Sequence, residues 1–264
     1  MDEVRYVYLR PEVIREKREA CPVAYIPIGT IEWHGLHNPV GLDTLKAEQL
    51  CIRCAQAGGG LVFPALFYGE NREEALMEAN AGDKEEISAA YGLPPENFAP
   101  GYMGYSVKEQ SDAYLRLLVH ILHEVRSLGF KVAVFSPGHY PLLDFARAAC
   151  ALFHQTVKHD KRGMCIAWAF TGYELVKDVY EYAGDHAAYW ETSLLLALCP
   201  GLSDLSVLPE DRDERLVGVG GLPPQDATAE FGEKMTRAIV ERVTAEVRDR
   251  LEDPGAYGRH GLRL

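Results

Sequence analysis

The sequence predicts a layered α/β fold, a central, mostly parallel sheet with helices on both faces, and two observations predict it. Short apolar runs of strand length recur: PVAYIPIGT (22–30), LVFPALF (61–67), KVAVF (131–135) and MCIAWAF (164–170). Between and after them, apolar residues recur at helical spacing. Strands that alternate with helices build such sheets, and ligands bind beyond the carboxyl ends of their strands.

The elements follow in order. Pro22–Thr30 reads as a buried strand ended by Gly29. Thr44–Ala57 reads as a helix stopped by three consecutive glycines, and Leu61–Phe67 as the next strand. Residues 69–107 are rich in Gly, Pro, Asn and Glu and have little periodicity, so they predict a long excursion. Loops of that length inside a domain are usually functional or disordered, and the tyrosines here favour an ordered, substrate-facing segment. Glu109–Leu128 is the clearest helix, with Tyr114, Leu117, Leu118, Ile121, Leu122 and Val125 along one stripe and Gly129 at its end. The strand Lys131–Phe135 precedes a helix over Pro141–Val157, and the strand Met164–Phe170 precedes a helix over Ala188–Leu198. Thr228–Leu251 is a long amphipathic helix with Phe231, Met235, Ile239, Val243 and Val247 turned inward.

The 264 residues suit one domain, 1–264, with a well-buried core. A formal net charge of −12 with no dense Lys/Arg cluster argues against a nucleic-acid partner. No apolar run is long enough to span a bilayer, and the charged N-terminus lacks a signal-peptide core, so a cytoplasmic enzyme is expected. Of six cysteines, Cys51 and Cys54 form a C-x-x-C inside a helical pattern. No second pair accompanies it, so both read as small helix residues kept as thiols.

Three segments carry chemistry. The first, Gly29 to Asp43, follows a strand directly and reads GTIEWHGLHNPVGLD. Glu32 and His34 are two apart, so in an extended chain they point the same way. Gly35 and Gly41 let the chain return Asp43 to them. Two carboxylates and an imidazole suit Zn, Mn or Fe, and a carboxylate between two metals can bridge them. Asp43 could also be only the N-cap of the next helix, although Lys46 provides no capping box. His37 divides evenly between structural and substrate-lining roles. The second segment places His139 at the mouth of the KVAVF strand. The third, GDHAAYWETS (184–193), sets His186 and Glu191 about a helix start, where His186 could act as general acid and base. Asp185 could instead be simply a cap.

Together the three segments resemble the creatininase (creatinine amidohydrolase) family. That family carries a G-x-x-E-x-H-G-x-H-x-P-x-x-x-D element, a Gly-His element after a central strand, and a late H-A-G-x-x-E-T-S element. Here they read GTIEWHGLHNPVGLD, GHY and HAAYWETS, in the same order and across most of the chain. The resemblance implies an α/β sandwich, a two-metal site and a homo-oligomer, often a hexamer; with a departure at Pro141, one or two divalent transition metals (Zn, Mn or Fe) are expected per chain. It carries metal binding onto Glu32, His34, Asp43 and His139 and proton shuttling onto His186. Glu191 matches a family acid near the site. One departure stands out. The family pattern has a metal-binding glutamate two residues after the Gly-His histidine, and Pro141 occupies that position. The second metal then lacks a ligand unless Glu191, Glu70 or water supplies it, and creatinine itself becomes a poor candidate substrate.

The function expected is hydrolysis of a small polar, cyclic substrate by metal-activated water, with a C–N amide as the bond broken. Tyr140, His37, Glu70, Tyr102 and Trp168 are the expected substrate-lining residues. Opening of an oxidised cyclic polyol at a C–C bond is the alternative. Metal-dependent isomerase or lyase chemistry, and a non-catalytic member of the family, stand behind it.

Overall fold

In the computed structural model, which describes residues 3–69, 81–98, 102, 104–157 and 164–257, the sequence opens with a surface helix, α1 (Pro11–Ala20). Its proline at the first helical position is pre-set for the turn, a start signal that the sequence reading passed over. Strand β1 (Val23–Ile28) is buried along its whole length. Helix α2 (Leu42–Gly58) follows, and then β2 (Leu61–Val62). β2 is shorter than the expected strand. Pro64 has no N–H to give the ladder, and only an isolated bridge between Ile28 and Leu66 continues the pairing.

The predicted 69–107 excursion is in part helical. Residues 70–80 lie outside the described residues, whereas Lys84–Ala90 forms a short helix, α3, which the weak periodicity did not announce. Ile87 and Phe98 pack on Trp33, with Tyr91 against them. Helix α4 (Val107–Ser127) begins two residues earlier than expected. Ser106 and Glu109 close a capping box there, with the Ser106 side chain accepting from the Glu109 N–H and the Ser106 N–H donating to Glu109 Oε2. Leu117, placed on its inner stripe by spacing, is exposed instead. The chain continues through β3 (Val132–Pro137), α5 (Leu142–Val157), β4 (Ile166–Ala169), a short α6 (Gly172–Val176), α7 (Tyr189–Leu198) and the long α8 (Ala229–Glu252).

The four strands form one sheet in the order β2-β1-β3-β4, with every pairing parallel. Residues alternate between its faces. Val23, Tyr25, Val132 and Val134 join a core with Leu50 of α2, Trp190 of α7 and Ile239 of α8. Ala24, Ile26, Ala133 and Phe135 join a second core with Leu118 of α4 and Phe153 of α5. Because both faces are covered, the strands read as continuous apolar runs rather than alternating ones. Sandwiched α7 is buried nearly all round, including Glu191, Thr192 and Ser193 of its first half. Cys51 and Cys54 are buried in α2, and burial pushes the Cys51 thiol up to about 12, which fits inert helix residues.

From β1 the chain passes to β2 on one side and then returns to β3 on the other. This places a topological switch between the carboxyl ends of β1 and β3, where ligand crevices form in open parallel sheets. Among the described residues, no helix is long and apolar enough to cross a membrane.

Candidate metal centre

Glu32 and His34 leave the end of β1 and are both buried. The Glu32 N–H donates to the Val40 carbonyl, which closes the 32–40 loop, and Gly35 turns at φ +72°. Asp43 lies inside the first turn of α2, whose N-cap is Gly41, so its carboxylate is not spent on capping. His139 leaves the end of β3. Gly138 makes the approach possible, since a Cβ there would lie 2.0 Å from the Asp43 carbonyl oxygen. Gly138→Ala is therefore expected to cost about 1–3 kcal/mol, the range for overpacking, seen as a fall of several degrees in Tm. An unchanged Tm would show that β3 and α2 separate freely at this point.

These side chains converge. His139 Nδ1 stands 2.9 Å from Glu32 Oε2 and 3.3 Å from Asp43 Oδ2. His34 Nε2 stands 3.4 Å from Asp43 Oδ1, 3.6 Å from Glu191 Oε2 and 3.9 Å from Glu32 Oε2. Two groups of mutually close donors result, Glu32–Asp43–His139 and His34–Asp43–Glu191, with Asp43 common to both. A third group joins Glu32 and His34 to His186. Both carboxylate oxygens of Glu32, one of Asp43 and Nε2 of His34 are buried and make no well-directed hydrogen bond, although the two histidines stand within ion-pair distance of the carboxylates. Buried polar atoms are normally satisfied, so orphaned donors and acceptors that face one another fit a cation. Burial works against charge on Asp43, yet His34 and His139 hold its carboxyl well below the usual range. Burial likewise lowers His34, but Asp43, Glu191 and Glu32 outweigh it and raise it to about 9.

Glu191 enters from the first turn of α7. Its Oε1 accepts from Lys46 Nζ at 2.5 Å and its Oε2 from the Ala187 N–H at 2.9 Å. Ala187 has φ +55°, a left-handed backbone that costs a non-glycine residue about 1–2 kcal/mol. Its carbonyl accepts from His37 Nε2 at 2.9 Å and from the Thr192 hydroxyl at 3.3 Å, so three contacts hold the conformation. Asp185 accepts from the N–H groups of Trp190 and Glu191 at 2.7 and 3.0 Å and thereby caps α7. Burial, with Glu191 nearby, pushes its carboxyl up to about 7. His186 is held on both sides. Its backbone exchanges two hydrogen bonds with Gly220, and its Nε2 lies 2.9 Å from the Trp33 carbonyl. A carbonyl only accepts, which makes Nε2 the protonated nitrogen and leaves Nδ1 with the lone pair.

A cavity of about 850 Å³ opens onto Glu32, Asp43, Lys46, His139, His186 and Glu191. Tyr140 and Tyr173 flank it, with ring centroids 5.8 Å apart.

A family model described as creatinine amidohydrolase matches residues 8–247. The chain belongs to the creatininase family. The creatinine amidohydrolase of Pseudomonas putida is 26% identical over 194 residues, which cover 69% of this chain and 66% of that protein. The match therefore spans just under two thirds of that relative's length. A crystal structure of creatinine amidohydrolase superposes with a TM-score of 0.70 at 21% identity, covering 96% of this chain and 99% of the other. A manganese form of creatininase gives 0.69 at 21%, covering 96% and 100%. A putative creatinine amidohydrolase from Bacteroides fragilis gives 0.64 at 18%, with full coverage of both chains. At these identities the structures establish the creatininase fold.

Against the creatininase pattern, Pro141 lines the cavity without a donor, and Glu191 supplies the third member of the second group. The structure thus brings together Glu32, His34, Asp43, His139, His186 and Glu191, with Tyr140 at the cavity. It separates the others. His37 lies beneath the 186–188 loop, bonded to Ala187, and does not line the cavity. Trp168 sits in the core under the Arg250 guanidinium, because its strand position turns it to the α8 face. Tyr102 is exposed away from the cavity, and Glu70 lies outside the described residues. Lys46 was missed as a site residue. The signal was a lysine one helical turn beyond Asp43, on a face otherwise occupied by Ala47 and Leu50.

Proposed function

We propose that the chain is a metal-dependent hydrolase that cleaves a C–N bond in a small polar, cyclic amide. The observation that carries this reading is the convergence of buried donors from the ends of β1 and β3 and the start of α2, Glu32, His139 and Asp43, at a cavity that His186 also lines. Glu32, Asp43 and His139 would hold a divalent ion. Their carboxylate and imidazole donors suit Zn, Mn or Fe. Such an ion supplies Lewis acidity toward a carbonyl and makes water acidic enough to attack at neutral pH.

The chain's own residues supply the rest. The Trp33 carbonyl fixes the His186 ring in one tautomer, which leaves Nδ1 to take a proton from the attacking water and return it to the leaving nitrogen. Glu191, tied at both oxygens, fixes the turn that carries His186. Tyr140 and Tyr173, tilted 56° to each other, give the cavity an aromatic wall against which a ring could pack. Assembly into a homo-oligomer belongs to the same reading and rests on the family likeness, and a cytoplasmic location is proposed with it. A monomer by light scattering at micromolar concentration would overturn the first.

The test is turnover in ¹⁸O-labelled water with a panel of lactams, cyclic ureas and cyclic diketones. One solvent oxygen in a new carboxylate together with a freed nitrogen is the expected result. Label in a carboxylate with a C–C bond opened would assign the polyol-type reaction. Product without solvent oxygen would exclude hydrolysis.

A further inference from the structure

We infer that the site holds a single divalent ion, at Glu32, Asp43 and His139, and that the Lys46 ammonium takes the second cation position, between Glu191 and Asp43. This inference rests on the metal reading above and sharpens it. Lys46 Nζ lies 2.5 Å from Glu191 Oε1 and 3.8 Å from Asp43 Oδ1, the two carboxylates of the second donor group. The side chain is buried, and it reaches the cavity, which His34 does not.

Position on the helix leaves it few alternatives. Lys46 sits one turn after Asp43 in α2, and Ala47 and Leu50 beside it also line the cavity. A buried ammonium has to be matched by buried anions, and these carboxylates are the ones in reach. Charge matching agrees. With the His34 imidazole neutral, the three carboxylates of Glu32, Asp43 and Glu191 are matched by one ammonium and one divalent ion. A second divalent ion would leave the buried site with a net positive charge and would meet the ammonium at close range. Asp185 belongs to none of the donor groups, and its carboxyl is held by the N–H groups at the start of α7.

The inference assigns Lys46 two effects. It excludes a second ion, and it holds Glu191, which in turn bonds the strained Ala187 next to His186. Lys46 is thus a positioning residue and an internal counter-ion.

The experiment is metal counting. The protein is incubated with excess Mn²⁺ or Zn²⁺, desalted and measured by elemental analysis, and the Mn²⁺ form is examined by electron paramagnetic resonance. The wild type is expected to hold one equivalent and to show the six-line spectrum of isolated Mn²⁺. Lys46→Met and Lys46→Gln, which keep length and remove charge, are expected to hold two equivalents and show an exchange-coupled spectrum. Lys46→Arg, which keeps the charge, is expected to hold one. Two equivalents or a coupled spectrum in the wild type overturn the inference without the help of any variant. A folded Lys46→Met or Lys46→Gln that still takes one equivalent overturns it as well. In both of those cases the metal reading survives, whereas a wild type that takes no metal defeats that reading and this inference together.

Discussion

Replacing Asp43 with alanine is expected to abolish metal binding and, with it, turnover. Asp43 is common to both donor groups, and it faces His34, His139 and Lys46 at once. Residues that merely support a ligand change metal affinity by about 10–100-fold, and loss of this shared ligand is expected to exceed that range. Elemental analysis after desalting should find no ion in Asp43→Ala. Breaking a buried charge cluster from one side also costs about 3–5 kcal/mol, so the variant should melt earlier. Asp43→Asn keeps shape and one acceptor, which separates the two effects: metal is still lost while more of the stability remains. Full metal content in Asp43→Asn would remove Asp43 from the ligand set.

His186→Ala should fail in a different way. Its imidazole is expected to move a proton rather than hold the ion, so metal content stays near that of the wild type. Turnover should fall by about two to four orders of magnitude, the range of general acid–base groups. A modest stability loss accompanies it, because the Trp33 carbonyl is left without its partner, at about 1–3 kcal/mol. The His186 backbone bonds to Gly220 are untouched by the substitution. A variant that melts earlier but turns over near normally would make His186 a packing residue. A variant that loses its metal would make it a ligand, as its proximity to Glu32 and His34 permits. Added imidazole should restore part of the rate only if proton transfer is what was lost.

The parts of the site that were legible in the sequence are those encoded within a few residues. Glu32, His34 and Asp43 lie in one segment, and the strand-then-histidine pattern exposed His139. The sheet was legible because both of its faces are covered, which leaves unbroken apolar runs. What escaped was set by tertiary partners. Lys46 acquires its meaning from Glu191, far away in sequence, and alone it reads as one more polar helix residue. His37 looked available in GLHNP, yet the 186–188 loop folds over it and takes its Nε2. Trp168 was expected to line the substrate site, but period-two alternation turns it into the α8 core. Helices α1, α3 and α6 are short, and α1 buries none of its residues fully, so periodicity had little to report.

The orphaned atoms of Glu32, Asp43 and His34 also bear on how much of this protein a cell can keep folded. Each buried polar atom without a partner costs about 1–3 kcal/mol, and a domain's whole margin is about 5–15 kcal/mol. Several such atoms meet at one end of the sheet, only partly compensated by the histidines that face them, so the metal-free chain would be the less stable form. An ion that binds only the folded form stabilises it by mass action, about 2.7 kcal/mol at a hundredfold excess over its Kd. Metal supply would then bear on the lifetime of the polypeptide as well as on its activity. A cell starved of the ion would lose the enzyme to proteolysis in addition to having it idle, and would rebuild its hydrolytic capacity only as fast as it synthesises new chains.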